Sequence, residues 1–401
     1  MELVDRYLRL GLRLGRHVDG LVDSYYGPPA LAATVQQEDL WEPAALAADA
    51  DALLAGLEEA ELEEQRRGWL LDQAVGLRIY AGRLAGKQLG YLDEVEGCYG
   101  VRPERIPEED FLNAHERLDE LLPGTGTLEE RYEAWRTDSL VPAGRIVEVA
   151  DPILAVLRER TDALVELPGD EEFTLELVAD EPWAAFNYYL GRRRSRIVVN
   201  TDLPLAAADL VHLLAHEGYP GHHTERVVKE RRLVEELGLV EESIQLVPTP
   251  QSLVGEGIAE VGAELLVDDG VEAELVRIYA AAGIRFDPDE ARLIREAREP
   301  LKCVTRNAAI MIHEDGLPED DARVYVARWA LAPAHRAERM VSFVVDPTWR
   351  AYVTTYSEGL RLCRAFVGGE QAAFRRLLTE PIRIGELLAA AGGDAAVSSG
   401  S

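Results

Sequence analysis

Residues 210–229, LVHLLAHEGYPGHHTERVVK, limit what this chain can fold into more than any other stretch. They include His216-Glu217, which matches the first half of the zinc-protease helix motif H-E-x-x-H. The position four residues after His216 is Pro220, which cannot bind a metal. Proline removes a backbone donor and glycine permits a sharp change of direction, so Pro220-Gly221 predicts a break in the helix at this point.

Two further histidines, His222 and His223, follow directly after the break. In an uninterrupted helix, His223 would share a face with His216 but lie about 10 Å further along the axis. That is too far for one metal, whose ligands lie about 2 Å from it. A kink at the break can return either residue toward His216, so the spacing predicts a metal site with one of them. We favour His222, which directly follows the break, although the geometry leaves His223 open. The alternative is a helix that ends at the break with scattered surface histidines.

A candidate third ligand lies on a second predicted helix, at residues 251–267. Glu256, Glu260 and Glu264 recur at every fourth residue and therefore share one face. Apolar residues flank them on both sides, which predicts a largely buried helix. Buried carboxylates need a cation or hydrogen-bond partners, and a metal would supply one for Glu256 or Glu260. For Glu264, an acidic stripe that faces water is the better interpretation.

The sequence HEGYPGHH resembles the signature of the DUF885 proteins, an uncharacterised bacterial family whose fold is similar to that of M32-type zinc carboxypeptidases and other Glu-zincins. The segment Glu256-Gly257-Ile258-Ala259 resembles the family's E-G-W-A segment, with Ile258 in place of the usual Trp. The resemblance implies that Glu256 is the third ligand and that Glu260 supports the site from behind the ligands.

Two later segments extend the resemblance. Residues 306–313 resemble a family segment that ends in a histidine, here His313, and Tyr356-Ser357-Glu358-Gly359 resembles the family's Y-x-x-G. A neutral histidine or a tyrosine hydroxyl near the metal can stabilise an oxyanion. The resemblance therefore implies catalytic roles for Tyr356 and His313. Each residue also has a purely structural interpretation. His313 would be a helix histidine that is hydrogen-bonded within the protein, and Tyr356 would be a core tyrosine.

The composition excludes some partners. The chain has 401 residues and a net charge of −31, with 73 acidic against 42 basic side chains. This charge argues against nucleic acid, whose binding depends on Lys and Arg at phosphates, and against anionic membrane surfaces. Three scattered cysteines imply neither a disulfide framework nor a cysteine metal site. The N-terminal residues lack the apolar core of a signal peptide, so we expect a cytoplasmic protein.

Sheet structure is predicted in one region only, directly before the candidate metal-binding helix at residues 210–229. Residues 173–177 alternate between apolar and polar. Residues 186–190 and 196–199 flank GRRRS at 191–195, which predicts a hairpin turn. Elsewhere the chain is rich in Ala, Leu and Glu and predicts helices. A small sheet at this place is what a zincin needs, because an edge strand can pair with an extended peptide.

The predicted fold class is mainly α, a helical zincin-like, M32 carboxypeptidase-like fold with a small antiparallel β-sheet before the metal-binding helix. We expect one domain over residues 1–391, with a helical scaffold half (1–165) and a half that carries the sheet, the metal helix and the site (166–391). Residues 392–401 are small and polar and predict a disordered tail.

The predicted function is that of a zinc-dependent metallopeptidase, carboxypeptidase-like, which hydrolyses peptide amide bonds through a metal-activated water. The expected cofactor is one Zn²⁺ per chain on His216, His222 and Glu256, although Fe²⁺ or Mn²⁺ suits these ligands nearly as well. Glu217 would act as the general base. The expected partner is a peptide or small amide substrate, and the oligomeric state is left open. The alternatives are an inactive zincin-fold protein that binds metal or peptide, and a helical scaffold without metal.

Overall fold

Helices make up most of the first half of the molecule, as the sequence predicts. The computed structural model describes residues 2–181 and 183–398. The elements of this half are α1 (Glu2–Gly15), β1 (Val22–Tyr25), α2 (Pro29–Gln37), α3 (Pro43–Glu58), α4 (Glu64–Leu84), α5 (Tyr91–Tyr99), α6 (Glu108–Leu121), α7 (Leu128–Asp138), a 3₁₀ turn (Ala143–Arg145) and α8 (Ile146–Val165).

Local capping signals explain where some of these helices begin. Helix α6 starts directly after Pro107, with three acidic residues in its first turn that complement the helix dipole. Helix α7 starts with a capping box. The Thr127 hydroxyl accepts from the Glu130 amide at 3.2 Å, and the Glu130 carboxylate accepts from the Thr127 amide at 2.8 Å.

The predicted sheet before the candidate metal-binding helix is present, with three strands: β2 (Glu172–Val178), β3 (Ala185–Gly191) and β4 (Arg194–Asn200). Strands β3 and β4 form the predicted hairpin, whose two turn residues, Arg192 and Arg193, have positive φ angles of 55° and 59°. The prediction of an antiparallel sheet is wrong for β2, which pairs with β4 in parallel. The tight turn places β3 on one edge of β4, and β2 therefore occupies the opposite edge, in the order β2-β4-β3.

A second, smaller sheet was not predicted. Strand β1 pairs antiparallel with β5 (Ile244–Leu246), so it joins segments that are more than two hundred residues apart in the chain. Strands of three and four residues are too short to show a clear alternation. The expectation that sheet structure is confined to the region before the metal helix is therefore wrong.

The second half carries the candidate metal residues on helices. Its remaining elements are α9 (Ala207–Glu217), α10 (His222–Lys229), a π-helix (Glu230–Glu236), a 3₁₀ turn (Val240–Ser243), α11 (Pro250–Leu266), α12 (Asp269–Ala281), α13 (Pro288–Ala297), a 3₁₀ turn (Glu299–Cys303), α14 (Val304–His313), α15 (Glu319–Ala330), α16 (Ala334–Val345), α17 (Val353–Val367), α18 (Gln371–Thr379) and α19 (Ile384–Ser398).

Helices α11 and α17 cross in close contact at two glycines. A Cβ atom on Gly257 would stand 2.4 Å from the carbonyl oxygen of Gly359 and 2.4 Å from the sulfur of Cys363. A Cβ atom on Gly359 would stand 2.4 Å from the carbonyl oxygen of Leu253. Only glycine leaves room for this approach of two backbones. The contact places Glu256 on α11 beside the start of α17.

The main hydrophobic core connects residues of both halves, from α5 and α8 to α9, α11 and α17. A second core lies between α1, α3, α4 and β5. The predicted tail, residues 392–401, overlaps α19 as far as Ser398, and residues 399–401 lie outside the described part of the chain. Among the described residues, no helix is long and apolar enough to cross a bilayer.

Candidate metal centre

The break between α9 and α10 brings His222 back to His216. The amide of Gly221 donates to the carbonyl of Ala215 at 2.9 Å, so α10 begins directly against the last turn of α9. A Cβ atom on Gly221 would stand 1.8 Å from the carbonyl oxygen of His216, and only glycine fits there. The two imidazole rings then lie with centroids 4.8 Å apart, at 87° to each other.

Glu256 completes a group of three potential ligands. Nε2 of His216 lies 3.4 Å from Oε2 of Glu256, and Nε2 of His222 lies 3.7 Å from Oε1 of the same carboxylate. The three side chains are largely enclosed, with 13%, 15% and 6% of their surface exposed. Their ligand atoms all lie within 4.8 Å of one another. The structure thus brings together His216, His222 and Glu256.

The geometry of this group fits a metal ion better than it fits hydrogen bonding. Oε2 of Glu256 is buried without a hydrogen-bond partner in the described part of the chain. Two ligands of a tetrahedral zinc ion, each about 2.0–2.1 Å from the metal, stand roughly 3.3 Å apart. The observed separations of 3.4 and 3.7 Å are close to this value. Two imidazoles and a carboxylate are also a donor set that Zn²⁺ accepts in catalytic sites.

The carboxylates near the site determine the pKa values of its histidines. Burial lowers the pKa of His216, but Glu256 and Glu260 outweigh this effect and raise the pKa well above its usual value. Burial raises the pKa of Glu256, and the two histidines and Tyr352 reverse this shift, so its carboxylate is ionised. The carboxylates therefore favour positive charge at this group, which either a proton on His216 or a bound metal ion would supply.

Glu260 faces the other nitrogen of His216. Its Oε1 lies 3.4 Å from Nδ1 of His216 and 3.3 Å from Nε2 of His212, while its Oε2 is 2.7 Å from the ammonium of Lys302. A carboxylate behind a metal-binding imidazole fixes its orientation. The place of Glu260 agrees with a supporting role. His212, His216 and Glu260 also form a second, more exposed group of potential ligands.

His223 points away from the other histidines. Its side chain is fully buried, and its Nδ1 lies 2.8 Å from the hydroxyl of Ser195 on β4. Its Nε2 lies 2.8 Å from Oε2 of Glu171, which also accepts from the Tyr219 hydroxyl at 2.6 Å. Burial lowers the pKa of His223, so the ring is neutral and bridges these partners. Both ring nitrogens are therefore already occupied, which leaves His222 as the histidine that faces His216.

Glu217, the predicted general base, is the last residue of α9 and is almost buried, with 9% of its surface exposed. Burial raises the pKa of its carboxyl, and the neighbouring His216 and His222 oppose this shift. Its backbone carbonyl accepts from the side-chain amide of Asn187 on β3 at 2.6 Å. The sheet is thus joined by a hydrogen bond to the residue beside His216, the first candidate ligand.

Of the two predicted oxyanion residues, the structure brings only Tyr356 toward the group. Burial raises the pKa of the Tyr356 hydroxyl, and the charges of Glu256 and Glu217 raise it further, although 41% of the residue surface is exposed. His313 lies elsewhere. Its Nε2 donates to the carbonyl of Val344 at 2.7 Å, and its ring stacks on Tyr91. The expected catalytic role of His313 does not fit these contacts, because its donor is already bound to backbone.

Two residues near the candidate site were not predicted from the sequence. The hydroxyl of Tyr352 donates to Oε1 of Glu256 at 2.6 Å. Asp23 on β1 lies 3.4 Å from the guanidinium of Arg226, one turn after His222 on α10. The position of Tyr352, one turn before Tyr356, was a weak signal in the sequence. Asp23 had none, because β1 comes from the distant N-terminal half.

Comparison with known proteins bears on the overall fold alone, and it tests neither the zincin-like fold nor an activity. No family model matches the chain, and no curated protein matches it. A crystal structure described as a "putative lipoprotein" from Colwellia psychrerythraea superimposes with a TM-score of 0.52 at 14% identity. The alignment covers 86% of this chain and 66% of that one, so this chain spans just under two thirds of the matched structure. A second, a "putative lipoprotein of unknown function" from Shewanella oneidensis, has a TM-score of 0.47 at 13% identity, with 89% and 75% covered.

Proposed function

We propose that this protein is a zinc-dependent metallopeptidase of the Glu-zincin type. It would be related to the DUF885 proteins, whose signature its HEGYPGHH segment resembles, and through their fold to the M32-type carboxypeptidases. His216, His222 and Glu256 would hold the metal ion. The observation that carries this proposal is the convergence of these three ligands beside the enclosed carboxyl group of Glu217. A Glu next to the first metal-binding histidine is the arrangement of zinc peptidases.

A bound zinc ion would supply a Lewis acid that polarises a carbonyl group and lowers the pKa of water toward neutrality. Burial raises the pKa of Glu217 from its ordinary range, which makes its carboxylate a stronger base. The Glu217 carboxylate would take a proton from the attacking water molecule and later return it to the leaving amine. Tyr356, whose hydroxyl remains protonated at neutral pH, would donate a hydrogen bond to the developing oxyanion.

Two further residues would hold the ligands in place. The Tyr352 hydroxyl fixes one oxygen of Glu256, and Glu260 restrains Nδ1 of His216. Ligands that are held in this way lose little freedom when they bind a metal. The candidate ligands are largely buried, whereas Tyr356 on α17 is partly exposed to solvent. We therefore expect a substrate to approach from the side of α17. An extended peptide of a few residues is the substrate class that we expect.

The first test is elemental analysis of the purified protein and of four variants. We expect one zinc per wild-type chain, and loss of zinc in His216→Ala, His222→Ala and Glu256→Ala. The variant His223→Ala should keep the metal. A wild-type protein that holds no stoichiometric metal, even after zinc is supplied, would contradict the proposal.

The second test uses a peptide library and mass spectrometry. We expect the zinc-loaded wild type to cleave peptides and Glu217→Gln to lose turnover by about 10²- to 10⁴-fold while it retains zinc. Bound zinc without cleavage of any peptide would instead support the alternative, a zincin-fold protein that binds metal or peptide without catalysis.

A further inference from the structure

One face of α9 links the candidate metal centre to a second feature. Asp209, His212 and His216 are spaced by three and four residues and therefore share one helix face. Together with Ala208, they are the residues of α9 that reach solvent, while the rest of the helix is buried. The rise of about 1.5 Å per residue places Asp209 about 10 Å along the axis from His216. The two ends of this stripe thus open on the same surface.

Three arginines gather at the Asp209 end, and we name Arg136, Arg298 and Arg336 the arginine cluster. Arg136, on α7, contacts Asp209 at 2.7 Å. Arg298 follows α13, and its guanidinium carbon lies 4.5 Å above the ring of Tyr132, one turn before Arg136 on α7. Arg336 lies in the first turn of α16. Its neighbour Ala337 belongs to the same hydrophobic core cluster as Tyr132. Burial lowers the pKa of Arg336, and the charge of Arg136 adds to this shift, while Tyr132 and Asp209 oppose it.

This cluster is short of negative charge, which is unusual in a chain with 73 acidic residues. Within the described part of the chain, neither Arg298 nor Arg336 has a carboxylate oxygen within 4.0 Å or a side-chain hydrogen bond to protein. Nε of Arg298 is buried there without a partner. The nearby acids, Asp209 and Glu133, contact Arg136 instead. Like charges at close range repel, and unmade buried hydrogen bonds cost free energy.

A bound carboxylate would relieve both costs. A guanidinium group presents paired donors that match the two oxygens of a carboxylate, and several such groups around one anion strengthen its binding. Arg298 and Arg336 are half-buried, so an anion at this place would be partly desolvated yet reachable from solvent. Nothing in the metal chemistry requires these arginines, so they need a separate explanation.

We propose that the arginine cluster binds a carboxylate of the peptide substrate, about three residues away from the bond that is cleaved. The number follows from the distance of about 10 Å along α9 and the rise of about 3.3 Å per residue in an extended peptide. This inference rests on the proposed peptidase function. The carboxylate can be the C-terminus of the peptide or an acidic side chain, because the guanidinium groups recognise the same chemistry in both.

The test measures peptide binding to the zinc-loaded Glu217→Gln protein by calorimetry, so that it does not depend on turnover. Three alanine hexapeptides are compared: one with a free C-terminal carboxylate, one with a C-terminal amide, and one amide with Glu at its last position. We expect the first to bind at least about tenfold more tightly than the second, as loss of a charge-assisted hydrogen bond implies. The third peptide distinguishes a terminal carboxylate from a side-chain carboxylate.

Variants in the same Glu217→Gln background assign the effect to the cluster. Arg298→Gln and Arg336→Gln should each reduce the preference for the carboxylate, and the double variant should abolish it. Each change removes one of several like charges, so folding should survive, and zinc content and circular dichroism verify this. The control Arg232→Gln removes an exposed arginine that pairs with Glu236 and should keep the full preference.

Two outcomes would overturn the inference: equal binding of all three peptides, or a preference that persists in the double variant. If the wild type cleaves peptides but shows no preference, the inference fails and the peptidase proposal stands. If the preference is present and no peptide is cleaved, the peptidase proposal fails and the cluster remains a carboxylate-binding site. For cleaved hexapeptides, mass spectrometry should locate the cut about three residues before the recognised carboxylate, and a cut at random positions contradicts the spacing.

Discussion

The hydroxyl of Tyr352 donates a hydrogen bond to Oε1 of Glu256 over 2.6 Å, and so joins the first residue before α17 to the candidate ligand on α11. The bond fixes the carboxylate in the orientation that faces both histidines. Burial raises the pKa of Tyr352 well above its ordinary value, and the charge of Glu256 adds to this shift, so the tyrosine remains a donor.

Tyr352→Phe should weaken zinc binding by about 10- to 100-fold, because loss of a partner behind a metal ligand has effects of this size. The measurement is competition for zinc with a chelator of known affinity. Tyr25→Phe is the matched control, since its hydroxyl donates to the exposed carbonyl of Pro28. If Tyr352→Phe and the control bind zinc equally well, the hydrogen bond to Glu256 does not support the site.

His223→Ala should lower the free energy of unfolding without loss of zinc. The change leaves Ser195 and Glu171 without their buried partner, and each buried polar group left unpaired costs about 1–3 kcal/mol. Urea unfolding of the metal-free protein measures the effect. His222→Ala provides the contrast, because it should lose zinc. A His223→Ala protein that loses zinc while its stability is unchanged would reverse the assignment of the two histidines.

Gly257→Ala should destabilise the protein by about 1–3 kcal/mol or more, because the new methyl group meets backbone and a sulfur atom at 2.4 Å. Gly385→Ala is the control, since a Cβ atom there has open space around it within α19. We expect the control to be neutral or slightly more stable, because alanine favours helix over glycine. Equal stability of the two variants would show that the contact of α11 with α17 adjusts without cost.

Glu242 should make stability depend on pH. Burial raises the pKa of its carboxyl from 4.5 to about 7, although Lys229 partly opposes the shift. The folded state therefore binds this proton more tightly than the unfolded chain. Its contribution is fully present below pH 4.5 and is lost as the pH rises through about 7, with a size of about 3 kcal/mol.

The corresponding variant is Glu242→Gln, compared with the wild type by urea unfolding from pH 4.5 to 8 after removal of metal with EDTA. The variant should gain about 3 kcal/mol relative to the wild type across this range. Glu129→Gln, on the exposed side of α7, should follow the wild type at every pH. A constant difference between Glu242→Gln and the wild type would show that Glu242 titrates normally.

Local patterns in the sequence predicted much of the fold. The break at Pro220-Gly221 acts within a few residues of the chain, so it was visible in the sequence. The acidic first turn after Pro107 and the capping box at Thr127 are equally local signals. The parallel pairing of β2 was not visible, because it depends on which edge of β4 is free. Strand β1 was missed because its partner, β5, lies more than two hundred residues away.

At the candidate site, too, local features were predictable and contacts between distant segments were not. His216 and His222 come from one short segment, and the sequence indicated that the break returns one histidine to the other. The choice between His222 and His223 required the buried partners of His223, Ser195 and Glu171, which belong to other elements. The sequence also could not place His313 on Val344, since that contact joins α14 to α16.

The hairpin of β3 and β4 is fastened to the helix that carries His222. Glu230, the first residue after α10, accepts hydrogen bonds from the backbone amides of Arg192 and Arg193, at 2.9 and 2.7 Å, and from the hydroxyl of Tyr189. These hydrogen bonds couple the turn and the strand to the helix that carries His222. A displacement of the hairpin would therefore be passed on to α10, and a ligand that paired with this hairpin would also restrict the positions open to the candidate ligand His222.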